Sequence, residues 1–249
     1  GGGYFDFTAG QDRGEPYFAT ADLAGAPNFG YLAQVVDESE AVEMALARVR
    51  QLSAHEVGHT LGFPHNYIAS TYGRESVMDY PAPLVEIDED GNLDLSNAYV
   101  QRIGTYDKLS VNWLYREFPA GTDEVSSLAQ IAQRGVEDGL IYMGHTNNNF
   151  IGAGHQYAGV WDNGANLVDH LKLEIRVREL GLERFGVNAI RTGEPLSNLE
   201  YVLLPLYMHH RFQLRSAAES LGGGETTIEA ISAAAAPAAR RVSEAWILL

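Results

Sequence analysis

The sequence predicts an α+β fold that is predominantly helical. Three observations point to it. A stretch starting at Asp37 carries apolar residues at helical spacing for more than twenty positions. Two short alternating runs flank Asp90-Gly91, as the strands of a hairpin do. Beyond residue 104 the apolar residues recur every three or four positions, with no further alternation. A chain of 249 residues has enough length for one large domain or two small ones with an ample core.

Taken in order, residues 1–36 are rich in glycine and aromatics without a helical period, and read as loops with one or two short strands. A helix is expected over 38–62. Asp37 is a good N-cap and Glu40 stands three residues on, as in a capping box. Val42, Leu46, Val49 and Leu52 form its expected core stripe, which continues to His55 and His59. Val85-Glu86-Ile87 and Leu93-Asp94-Leu95 form the hairpin. Asp88, Asp90 and Asn92 within it invite a calcium loop, but the glycine is misplaced for an EF-hand and no glutamate closes the loop, so an acidic solvated turn is favoured over calcium. Further helices are expected at about 106–117, 123–134, 164–184, 197–221 and 225–235. Leu167, Leu171 and Ile175 would face the core of one, and Leu199, Val202, Leu203 and Leu206 of another. Asn147-Asn148-Asn149 with Gly152 and Gly154 reads as a loop, and Ala233 to Ala236 as a helix that Pro237 ends.

The chemistry is concentrated in His55-Glu56-Val57-Gly58-His59-Thr60-Leu61-Gly62-Phe63-Pro64-His65, an H-E-x-x-H-x-x-G-x-x-H string. His55 and His59 are four apart, so a helix places both imidazoles on one face, one turn apart. Their nitrogens can converge on one ion at about 2.0–2.1 Å. Glu56 is offset by one position and is better placed to work on a water that the metal acidifies than to join the ligands. Gly62 can end the helix in a left-handed turn, and Pro64 resists its continuation, so the chain doubles back and His65 approaches the same ion. Three histidines leave one coordination position for water, as catalytic zinc sites do. With five positions fixed at roughly 5% each, chance occurrence in such a chain is on the order of one in ten thousand. The alternative is a buried helix with incidental histidines.

This string resembles the extended zinc signature of the metzincin metalloproteases. Ser76-Val77-Met78-Asp79-Tyr80, with Met78 thirteen residues after His65, resembles their Met-turn. The resemblance implies a zincin-like catalytic domain with a long active-site helix, a Met-turn and a helical C-terminal half. It implies zinc held by His55, His59 and His65, Glu56 as general base and acid, and Met78 as an apolar floor. Tyr80 becomes a candidate fifth ligand or oxyanion stabiliser; a tyrosine that only packs or hydrogen-bonds beneath the site is the alternative. A closer likeness is to bacterial, exported, large zinc-dependent metalloproteases. It rests on His65-Asn66, the Ser-x-Met-Asp-Tyr turn and Gly104-Thr105-Tyr106-Asp107, and more weakly on Trp161-Asp162-Asn163-Gly164. It is strong over about 37–118 and implies a secreted, periplasmic or cell-surface setting. Only 54 residues precede His55, so a fragment, or a chain that has lost segments, is expected, with an incomplete N-terminal sheet. The expected organisation is a zinc-binding catalytic region at 1–118 and a helical region at 119–249 packed on it within the same domain.

Thirty-three acidic against seventeen basic residues give a net charge of −16, which argues against nucleic acid and anionic membranes as partners. Without cysteine there is no disulfide, thiolate metal site or cysteine nucleophile. No apolar run is long enough to span a bilayer, and no signal peptide is recognisable. His145, His155, His170, His209 and His210 lack ligand spacing and read as structural or solvent-facing. The leading expectation is a zinc metalloendopeptidase acting on peptides or proteins. The alternatives are a non-catalytic zinc-binding surface or assembly domain, and a zinc amidohydrolase acting on a non-protein amide.

Overall fold

A computed structural model describes residues 29–36, 38–144, 155–190 and 192–221, with the strand residues 224–225 and 240–241. These fall into two compact units. The first takes residues up to Gly62, Pro81–Arg102 and Val168–Arg211; the second takes Phe63–Tyr80, Ile103–Leu167 and residues from Phe212 onward. The proposed cap at Asp37 lies outside the described residues, as do most of the glycine-rich start, the asparagine loop and the alanine-rich stretch.

The first unit is organised on helix α1, Glu38–Thr60. Its run of Ala, Leu, Met, Glu and Arg, without proline and without glycine before Gly58, favours helix throughout. Its buried face is not the expected one. Val42 and Leu46 are 39% and 41% exposed, while Ala41, Met44, Ala45, Arg48, Gln51 and His55 are buried. That face is small and polar, so a search for large aliphatics misses it. Its polar members are satisfied: the Arg48 guanidinium donates to Gln51 Oε1 and lies 5.3 Å from the Tyr99 ring centroid. A 3-10 turn at Gly30–Gln34, with buried Tyr31 and Leu32, packs against α1.

The expected hairpin is present. Strand β1, Glu86–Ile87, pairs antiparallel with β2, Leu93–Asp94, with Ile87 opposite Leu93. Asp88 accepts from the backbone amides of Asn92 and Asp90 at 2.6 and 3.0 Å, so its carboxylate is turned onto its own turn. Gly91 supplies the left-handed residue, φ 80°.

Before the first unit's remaining helices come the two that open the second. Helix α2 is Thr105–Tyr115 and α3 is Glu124–Glu137. They pack together where a Cβ on Gly135 would come 2.3 Å from Leu109 Cδ2. Asp123 caps α3 by accepting from the Ser126 amide. The core of this unit gathers Tyr67, Ile68, Met143 and Ala158, with Tyr72, Tyr80, Ile141 and Tyr157 packed around them.

Helix α4, Leu167–Arg184, buries Glu174, Val177 and Leu180, whereas Ile175 of the expected stripe is exposed. The single helix expected over 197–221 is two: α5, Leu199–Tyr207, and α6, Arg211–Ser220. Pro205 inside α5 removes an amide donor, and the chain at 208–210 turns His209 inward to Glu174, at 2.6 Å. A buried carboxylate needs such partners, and His170, 3.3 Å away on the same helix, is another. His209 Nδ1 in turn lies 2.7 Å from Tyr31 Oη. Val202 and Leu206 are buried as expected, but Leu203 is exposed. Strand β3, Gly224–Glu225, pairs with β4, Arg240–Arg241, so Glu225 is not helical, and the rest of the helix expected over about 225–235 lies outside the described residues. Among the described residues, helices therefore predominate over two short strand pairs. No helix among the described residues is long and apolar enough to cross a membrane.

Candidate metal centre

The last turns of α1 carry His55, buried, and His59, half-buried. Their ring centroids are 4.6 Å apart and the rings perpendicular, the result of four-residue helical spacing. The helix closes with the Leu61 amide donating to Val57 and Gly58, and the Gly62 amide donating to His59. Gly62 then adopts φ 92°, a conformation that costs glycine little. Three residues later stands His65. One ligand atom from each of His55, His59 and His65 can be chosen so that all lie within 4.8 Å of one another. Three imidazoles without thiolate or carboxylate suit a borderline ion such as zinc and leave a coordination position for water. Glu56 is half-buried on the same helix and is not one of the three.

The chain after His65 is fixed by its neighbour. Asn66 is fully buried, and its backbone amide and both side-chain polar atoms are hydrogen-bonded. Its amide donates to the Met78 carbonyl at 2.8 Å, and its Oδ1 accepts from the Met143 amide at 3.0 Å. Its Nδ2 donates to Tyr72 Oη and the Ile141 carbonyl. Met78 is itself 3% exposed. Tyr67 Oη and His65 Nδ1 are 3.1 Å apart, with the rings stacked at 5.4 Å. Burial, then the neighbouring Tyr80, Asp79 and Tyr142, push the Tyr67 phenol up.

The turn holding Met78 is pinned from α2. Asp107 accepts from Ser76 Oγ, the Val77 amide and the Gly104 amide at 2.7, 2.9 and 2.7 Å. This explains the Gly-x-Tyr-Asp segment: Asp107 caps its own helix and ties it to the turn. A Cβ on Gly104 would fall 1.9 Å from the Glu75 carbonyl oxygen, so no larger residue fits. Asp79 is buried and accepts from the Ser70 and Tyr80 amides. Burial, then the nearby Asp162 carboxylate, raise its carboxyl well above the usual range.

Tyr80 is half-buried in a group of rings. Its centroid lies 4.3 Å from that of His65 and 5.8 Å from that of Tyr67. Trp161 stacks on it at 5.0 Å with the planes 5° apart. Spacing alone gives no sign of the contacts of Tyr67 and Trp161: Tyr67 follows the motif, and Trp161 is marked only by the Trp-Asp-Asn-Gly likeness. Three of the other described histidines have structural partners: His170 and His209 meet Glu174, and His155 Nδ1 accepts from the Tyr157 amide.

A family model described as Met-zincin matches residues 37–245. Comparisons with curated proteins and with solved structures gave no match.

Proposed function

The chain belongs to the Met-zincin family, and on that premise we propose that it is a zinc-dependent metalloendopeptidase. The observation that carries the reading is the group of three histidines on and just after one helix, with Glu56 beside the first. Zinc, when bound by His55, His59 and His65, would acidify a water and polarise the scissile carbonyl. Glu56 takes the proton from the attacking water and returns it to the leaving amine. Tyr80 donates its hydroxyl to the oxyanion that develops on the substrate. For His65 to ligate through Nε2, its Nδ1 carries the proton and donates to Tyr67 Oη, which fixes the tautomer and the ring. Met78, buried and tied to Asn66, serves as an apolar floor and not as a reactant.

The test is a digest of a diverse peptide pool by the zinc-loaded protein, read by mass spectrometry beside Glu56→Ala. Internal cleavages in the wild type alone are the expected result. Equal cleavage by both proteins would remove Glu56 from the mechanism. No cleavage by a protein with one zinc per chain would sink the peptidase reading.

A further inference from the structure

We propose that Trp161 is a positioning residue: its indole holds the Tyr80 ring in the one orientation from which the phenol serves the reaction. Two independent contacts join the residues. The rings stack nearly parallel with centroids 5.0 Å apart, and the Trp161 amide donates to the Tyr80 carbonyl at 2.8 Å. The two residues are thus tied backbone to backbone as well as ring to ring.

The segment that presents the indole is unusual. Trp161 has φ 64°, and only Arg74 shares a left-handed backbone among the described non-glycine residues. A bulky residue stays there only when its surroundings over-determine it. They do so here. Asp162 and Asn163, the next two residues, are buried. The Asn163 amide donates to Gln213 Oε1 at 3.0 Å, and Gln213 Nε2 donates back to the Asn163 and Leu167 carbonyls. Gln213 is itself buried on α6. A Cβ on Gly159 would lie 2.4 Å from Asp162 Oδ2 and 2.6 Å from Ser216 Oγ, so that side of the turn is closed as well. The Trp161 turn is therefore anchored at its far end, while its ring faces a tyrosine that also packs on His65. Offset stacking prefers this geometry, and it restricts rotation of the phenol about its side-chain torsions.

The inference rests on the proposed role of Tyr80 at the oxyanion, so the experiment separates the two. In full-length protein with ¹³C-labelled tyrosine, the Tyr80 ring resonances are assigned by their loss in Tyr80→Phe. The wild type should show them displaced upfield by the indole, and Trp161→Leu should return them towards ordinary tyrosine values. Kinetically, Trp161→Leu should lower kcat about tenfold or more, as a misplaced group does, with KM within about twofold. Trp161→Phe should recover most of the loss. In a Tyr80→Phe background, Trp161→Leu should change kcat by less than about twofold, because positioning has nothing left to act on. Wild-type Tyr80 resonances with no upfield displacement would overturn the proposal without any variant having to fold. So would an equal kcat loss from Trp161→Leu with and without the Tyr80 hydroxyl. If the wild type cleaves no peptide, the peptidase reading fails, and the ring resonances still decide whether Trp161 orients Tyr80.

Discussion

Glu56 sits one position after a buried histidine and is half-buried on its helix. Its replacement should spare the fold and the metal. Glu56→Gln is expected to keep one zinc per chain, measured by elemental analysis, and to lower kcat about 100- to 10,000-fold, the range for removing a general base. Asp107 is the opposite case, since it accepts three hydrogen bonds from two separate segments. Asp107→Ala leaves buried donors unmatched and should cost roughly 3 kcal/mol in denaturant unfolding. Gly104→Ala, with a carbonyl in the space its methyl needs, should cost about 2–3 kcal/mol in the same measurement. Asp107→Asn retains an acceptor oxygen and should fall between wild type and Asp107→Ala.

At the scale of elements, α1 separates what looks apolar from what is buried. Leu46→Gln should cost well under about 1 kcal/mol, because Leu46 is already 41% exposed in the folded chain. Met44→Ala should cost about 2–4 kcal/mol, because Met44 is buried. The two denaturation midpoints check this directly. The contrast also shows how far the sequence could be read. Helix α1, the hairpin and the starts of α2 and α3 were legible, because periodicity, capping residues and Asp-Gly turns are local signals. The buried faces of α1 and α4 were not, because Arg48, Gln51 and Glu174 are buried only by virtue of partners such as Tyr99 and His209. The break at 208–210 has the same origin. At the site, the three histidines could be read from their spacing. The contacts of Trp161 with Tyr80 could not, because they join residues far apart in the chain that no short pattern links.

Across the whole molecule, stability should respond to acid through Glu174. Burial would raise its carboxyl, but the neighbouring His209, with contacts from both His170 and His209, outweighs burial and holds it at about 2. A folded-state value below the ordinary 4.5 adds stability that is fully present above that ordinary value. It is lost as pH falls from about 5 through 2. The loss should be on the order of a few kcal/mol and should be much smaller in Glu174→Gln, as read from unfolding midpoints against pH. His210, lowered mainly by burial and then by Arg178, acts in the same direction at higher pH: its stabilisation is present above the ordinary histidine value of 6.5 and declines as pH drops below it.

The Asn66 knot has a further consequence. The link between α2 and α3 is largely exposed over 116–122 and offers a bond to an added endopeptidase. A cut there would put Asn66, Tyr67 and Tyr80 on one fragment and Met143 and Trp161 on the other. The amides of Tyr67, Met143 and Trp161 would still bridge the two pieces. A nicked molecule should therefore run as two bands after denaturation and as one particle in native buffer, held as a non-covalent complex of its own halves.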